Sequence, residues 1–285
     1  MSHRDGLARR AVTEALRLRS RHGRACDQPV SPIDLALDEG VDVRLEAVGS
    51  LEGMYTPDGP AIIVGSLRPR GRRAFTCAHE LGHHVFGHGL RIDELLDNNA
   101  ATAATASKDD PEFVADRFAA ALLMPKLAVL HAFVLRRWQV ATCSAEQAFT
   151  IAGVLGVGYT TLVGYLAGTL GVIEPATAER LCKVTPKTIR ASLTGADTPG
   201  GLVVVDELWN GRPVDAEVGD FVVVPAGATA SPGVLERAGD RLLRATAPGI
   251  TRLCRGDWGV AVRVMRANYT GLAAYRHLEE IDDDT

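Results

Sequence analysis

The stretch "TCAHELGHHVFGHG", residues 76–89, carries four histidines, and which of them can share one ion decides how the rest of the chain is read. His79-Glu80-Leu81-Gly82-His83 is an HExxH pattern. On a helix, positions i and i+4 lie one above the other on a single face. The imidazoles of His79 and His83 can therefore hold one Zn²⁺ at about 2.0–2.1 Å each. Glu80 stands beside that face and can take a proton from a water whose pKa the ion lowers. The preceding "AFTCA" is apolar and suits a buried helix, where a polar pair without an ion would be costly. His84 lies about 100° round the helix from His83 and misses the ion. His84 and His88 are also i, i+4, but Val85 stands where the base would be, so they read as surface groups or as support behind the ligands. A metzincin arrangement needs a glycine at position 86 and a histidine at position 89; Phe86 and Gly89 exclude it.

Catalytic zinc sites commonly use three protein ligands and keep one position open, so a third ligand must come from elsewhere. "DDPEFVADRFAAALLMP", residues 109–125, offers Glu112 at the start of a predicted helix and Asp116 one turn later on the same face. Glu112 can ligate while Asp116 accepts a hydrogen bond from the far nitrogen of a ligand histidine. Glu112 can equally serve as a favourable charge at a helix N-terminus. Asp93, Asp109 and Asp110 are rival ligands, and spacing alone leaves the choice open.

Working outward, the 285 residues are 46% hydrophobic and 23% charged, enough for one or two folded cores and unlike a disordered chain. A formal charge of −4 gives no overall basicity that would point to nucleic acid. Arginines cluster in residues 1–24, which reads as a solvated helix face. Five cysteines at 26, 77, 143, 182 and 254 form no CxxC pair, which argues for a reducing compartment over a disulfide framework. The N-terminus lacks the apolar core of a secretory signal, and no uninterrupted apolar run reaches membrane-spanning length. The expectation is a cytoplasmic protein that does not engage a membrane.

Residues 6–22 predict an amphipathic helix, and "SPIDLALDEG" a second, capped by Ser31 with Pro32 at its first position and Gly40 as its stop. "VDVRLEAV" and "AIIVGS" read as strands, and "TPDGP" as a turn. A long helix starting near Arg72 carries the histidines. Residues 97–110 are small and polar and read as a loop; helices over 111–124 and 126–138 follow. From Gly200, short β-branched runs alternate with Gly and Pro. Trp209, Trp258 and Tyr275 there read as core. "EEIDDDT" reads as a solvated acidic tail.

"QAFTIAGVLGVGYTTLVGYLAG" has the cadence of a helix-turn-helix with Gly156 in the turn. A reading helix beginning there would present Tyr159, Thr160 and Thr161, but no Arg, Lys, Asn or Gln. Base readout normally uses those side chains, and phosphate contacts want more positive charge. The segment reads as a packing element, with direct DNA binding as the alternative.

"FTCAHELGHHVFGH" followed by "EFVADRFAAALLMP" resembles the ImmA/IrrE family of metallopeptidases. That family pairs an HExxH helix with a later helix of the form E-x-x-A-(N/D)-x-F-A-x-x-L-L-M-P, which Glu112, Ala115, Asp116, Phe118, Ala119, Leu122, Leu123, Met124 and Pro125 match. Cys77 departs from the aliphatic residue usual there. The resemblance implies Glu112 as the third ligand. It also implies an endopeptidase that cleaves a partner protein, typically a helix-turn-helix repressor, switching on stress-response or mobile-element genes.

The expected fold class is α+β, with three parts. A mostly helical zincin-like metallopeptidase domain with a small N-terminal sheet covers 1–142. A helix-turn-helix-like segment packed on it covers 143–195, and a β-rich domain covers 196–285. The expected site is His79, His83 and Glu112 on metal, Glu80 as the catalytic base, and Asp116 behind a ligand. Zn²⁺ is the expected ion; Mn²⁺ or another divalent ion suits the same ligands. The rival expectation is a non-proteolytic regulator that binds DNA or a protein and uses the metal for structure or sensing.

Overall fold

The computed structural model describes residues 2–94, 109–195, 197, 200–209 and 212–278. Most of the loop expected at 97–110, and the acidic tail at 279–285, lie outside the described residues. The fold is α+β: helices gather in the first two thirds, and short strands make three small sheets.

Helix α1 (His3–Arg21) starts in a capping box, where the Asp5 amide donates to Ser2 Oγ (3.2 Å) and the Ser2 amide to Asp5 Oδ2 (2.8 Å). Ala11, Ala15 and Leu18 form its buried stripe at helical spacing. The arginine run is not solvated throughout. Arg19 is fully buried and donates to the carbonyls of Leu122 (2.7 Å), Ala25 (2.6 Å) and Gln28, so its charge is met by main-chain dipoles. Helix α2 (Pro32–Asp38) is capped by Ser31, whose Oγ accepts from the Asp34 amide (3.2 Å).

Strands β1 (Asp42–Glu46), β2 (Leu51–Thr56), β3 (Ala61–Gly65) and β4 (Arg91–Glu94) lie in the first sheet in the order β1-β3-β2-β4. β1 and β3 are parallel, and β2 is antiparallel to both β3 and β4. β2 and β4 have no counterpart in the sequence reading. The register of β2 against β4 shifts between Leu51 and Gly53, so Glu52 sits in a bulge. Helices α3 (Arg70–Phe86) and α4 (Asp110–Leu123) pack on each other, and α5 (Lys126–Leu135) follows after Pro125.

The span Asp110–Leu135, although interrupted by Asp116, Arg117 and Lys126, is by length and composition apolar enough to cross a membrane. Within the fold, 61% of its apolar window is buried, which accounts for its composition.

Helices α6 (Ala145–Leu155) and α7 (Tyr159–Gly164) are joined at Gly156, whose φ of 71° closes the turn, and α8 (Pro175–Cys182) and α9 (Pro186–Thr194) follow. Tyr159 is buried and its hydroxyl donates to the Leu181 carbonyl (2.8 Å). It therefore cannot serve as a reading residue; Thr160 and Thr161 alone of the three are exposed.

The later strands form two sheets around a second core that includes Val214, Val222, Leu253, Val262 and Trp209. Tyr275, expected in a core, is 55% exposed. The chain then returns to its beginning. After the long strand β12 (Trp258–Met265), strand β13 (Gly271–Leu272) pairs antiparallel with β1 and becomes the outer strand of the first sheet. Met265, Tyr269 and Ala273 join the first core. Strands β5–β11 lie between Leu202 and Arg255.

Candidate metal centre

The centre is built by α3 crossing α4. Gly82 on α3 makes the crossing close: a Cβ there would lie 3.2 Å from the Ala115 Cα and 3.1 Å from the Phe118 ring. With no side chain in the way, the two backbones approach and the first turn of α4 reaches the histidines. That first turn is fixed by Asp109, whose Oδ1 accepts from the Glu112 amide (3.1 Å), with Pro111 in the opening turn. Glu112 sits at the helix N-terminus, where a negative charge is favoured.

The Nε2 atoms of His79 and His83 lie 3.1 Å apart. Glu112 Oε2 is 3.1 Å from His79 Nε2, and Oε1 is 3.4 Å from His83 Nε2. A tetrahedral ion with bonds of about 2.0–2.1 Å separates its ligand atoms by roughly 3.3 Å. The three observed separations fit that edge length, and two imidazoles with a carboxylate suit a divalent ion. Among the described residues, these three form the group of potential ligands lying within 4.8 Å of one another. The rivals are otherwise engaged. Asp109 caps α4, and Asp110 Oδ2 lies 2.8 Å from His3 Nε2. The side chain of Asp93 lies outside the described residues.

Behind the candidate ligands, each imidazole has a partner on its other nitrogen. Asp116 Oδ1 lies 3.0 Å from His79 Nδ1. His88 Nδ1 lies 2.8 Å from His83 Nδ1. His88 reaches back because α3 ends at Gly87 with a φ of 66°, turning the chain so that the His88 amide donates to the His83 carbonyl (2.9 Å). His84 faces away from the ligands, its Nδ1 3.0 Å from the Tyr55 hydroxyl. Burial pulls the His79 imidazole towards its neutral form, but Asp116, Glu112 and the nearby Glu80 outweigh it and push its pKa up to about 10. Hydrogen bonds from His79 and His83 hold Glu112 well below the usual carboxylate range. The centre thus stabilises positive charge between its imidazoles and carboxylates, whether a proton or a metal cation. Burial lowers the pKa of His84 and, with His83, of His88.

Glu80 is fully buried on α3. Strand β2 passes over it at Gly53, where a Cβ would come within 2.4 Å of Glu80 Oε1 and 2.5 Å of the Thr76 methyl. Cys77, one turn away, is buried, and burial, with Glu80 adding to it, drives its thiol far above its ordinary pKa, so it is an inert core group. Sequence reasoning missed Gly53 and Gly82: a glycine inside a strand or a helix is a known sign of close approach, but not of what approaches.

Residues 38–164 match the family model of the IrrE N-terminal-like domain, Peptidase_M78. A stretch of 88 residues is 33% identical to the radiation response metalloprotease IrrE of Deinococcus radiodurans, covering 30% of this chain and 26% of that protein. The chain thus spans about a quarter of the length of that curated relative. Among solved structures, a Mycobacterium tuberculosis transcriptional regulator is similar at a TM-score of 0.39 and 20% identity, over 56% of this chain and 46% of that one.

Proposed function

We propose that the chain, whose residues 38–164 match the IrrE N-terminal-like domain, is a zinc-dependent endopeptidase of the ImmA/IrrE kind acting on a partner protein. The observation that carries the reading is the convergence of His79 Nε2, His83 Nε2 and the Glu112 carboxylate, with Glu80 buried on the same helix. His79, His83 and Glu112 hold the ion. When bound, it supplies Lewis-acid chemistry, acidifying water and polarising a peptide carbonyl. Glu80 takes a proton from the attacking water and returns it to the leaving nitrogen, so that the amide departs as an amine. Asp116 keeps the Nδ1 of His79 protonated, leaving the Nε2 lone pair for the ion.

The substrate class is a helix-turn-helix transcription repressor, cleaved in the cytoplasm so that stress-response or mobile-element genes are expressed. This finer part rests on the family resemblance. The test is co-expression with repressors encoded near the gene, wild type against Glu80→Gln, reading repressor fragments by mass and bound metal by elemental analysis. Fragments with wild type and none with a metal-loaded Glu80→Gln protein are expected. Fragments that persist with Glu80→Gln would overturn the role of Glu80 and with it the hydrolase reading.

A further inference from the structure

Strand β2 is registered on the metal helix by two features that act together. At its bulge, Glu52 turns towards α3 and takes Arg72 on Oε2 (2.8 Å) and Arg68 on Oε1 (3.1 Å). The next residue, Gly53, then faces Thr76 and Glu80, one turn apart on α3. A Cβ at this position would fall 2.4 Å from Glu80 Oε1, 3.2 Å from its Cδ and 2.5 Å from the Thr76 methyl. Those distances are far inside van der Waals contact. Glu80 is fully buried. Two residues on, Tyr55 is buried with its hydroxyl against His84, which holds the far end of the strand on the same helix.

We propose that Gly53 is a positioning residue for the hydrolysis. Its missing side chain is the space that the Glu80 carboxylate occupies, and the Glu52 bulge keeps the strand at that height. The inference rests on the hydrolase reading of Glu80 and adds to it the element that aims the base. Any side chain at position 53 pushes the carboxylate off its line. A displacement of about 1 Å in a reacting group can cost on the order of a hundredfold in rate.

The test is a cycle of variants in the full chain. Thr76→Ser removes the second clash and serves as the background. In it, Gly53→Ala is combined with intact Glu80 and with Glu80→Ala, and melting temperatures are measured with metal content as a control. With Glu80 intact, Gly53→Ala is expected to lower the melting temperature by about 2–4 °C or more. With Glu80→Ala the loss should fall by at least half, because the obstructing carboxylate is gone. An insoluble Gly53→Ala protein that Glu80→Ala restores to solubility gives the same answer. In the cleavage assay, Gly53→Ala is expected to lower kcat roughly 10- to 100-fold, with KM and metal content near wild type. Equal losses of stability in both backgrounds, no loss in either, or undiminished turnover would overturn the proposal alone. Cleavage that survives Glu80→Gln removes the hydrolase reading itself, which the melting cycle does not depend on.

Discussion

His79 is held from both sides: Asp116 Oδ1 stands 3.0 Å from its Nδ1, and Glu112 Oε2 stands 3.1 Å from its Nε2. Both carboxylates come from α4, one turn apart, so a single helix supplies a candidate ligand and a partner for the His79 ring. A carboxylate behind a ligand histidine fixes the tautomer and raises its basicity, and losing one typically weakens metal affinity about 10- to 100-fold. Asp116→Ala is therefore expected to weaken zinc binding by that factor, measured by competition with a chromophoric chelator. Asp116→Asn keeps an acceptor and should lose less. Equal affinity for wild type and Asp116→Ala would show that Asp116 does not support the ligand.

Removing metal should destabilise the fold locally and measurably. Without an ion, two buried imidazoles and two carboxylates remain packed at the α3–α4 crossing. An ion that binds the folded chain alone adds about 2.7 kcal/mol at a hundredfold excess over its Kd. Chelation of the purified protein is therefore expected to lower its melting temperature by several degrees, and added zinc to restore it. His83→Ala should abolish the difference between chelated and zinc-supplied samples. An unchanged melting temperature across all conditions would argue that no ion is resident at this centre.

The parts of the centre that periodicity encodes were legible from the chain itself. HExxH needs only a helix to bring His79 and His83 together, and Asp109-Asp110-Pro111-Glu112 is a local helix start whose cap places the carboxylate. What escaped is set by distant partners. β2 has a glycine in its middle and no clean alternation; it is a strand because β3 and β4 flank it. His88 meets His83 only because Gly87 adopts a left-handed conformation. Arg19 looks like any other arginine on α1, and its burial depends on carbonyls from Leu122, Ala25 and Gln28. β13 pairs with a strand laid down near the other end of the chain.

That return of the chain makes the later residues part of the support of the first core. Asp34 on α2 accepts from Arg263 Nη1 (2.9 Å) and Arg276 Nη2 (2.7 Å), and Arg136 on α5 makes a two-pronged pair with Asp206 (2.6 and 3.0 Å). At the start of α3, Arg73 is paired with Glu217 and Arg70 with Asp220 (3.2 Å). A chain truncated after residue 200 loses all of these contacts and β13, leaving Asp34 and Arg73 without their carboxylate or guanidinium partners. Such a truncation is expected to be poorly soluble or to melt far below the full chain. Asp34→Ala should cost about 1–3 kcal/mol, less than a fully buried pair because Asp34 keeps some solvent contact. Chemical denaturation checks both, and a truncated protein as stable as the full chain would refute the support.

Stability should also fall on acidification, with His277 as the identifiable contributor. Its ring is nearly enclosed, and burial together with Arg276 and Arg263 lowers its pKa to about 4, against a partial offset from Asp215 at 4.0 Å. The ordinary value is about 6.5. A base whose folded pKa is depressed binds fewer protons folded than unfolded between those two values, so folding stability rises with pH across that window. The contribution is therefore fully present above about pH 6.5 and is lost as the pH falls to about 4, amounting to on the order of 2–3 kcal/mol. Asp34 adds to the loss at more acid pH, since Arg263 and Arg276 overcome its burial and hold its pKa below the usual carboxylate value. Denaturant melts between pH 7 and 4 should show the decline, and His277→Gln, which cannot take up the proton, should reduce it, leaving the smaller share from His84 and His88. A His277→Gln profile parallel to wild type over that window would mean that the folded histidine titrates near its unfolded value, and would remove it as the cause.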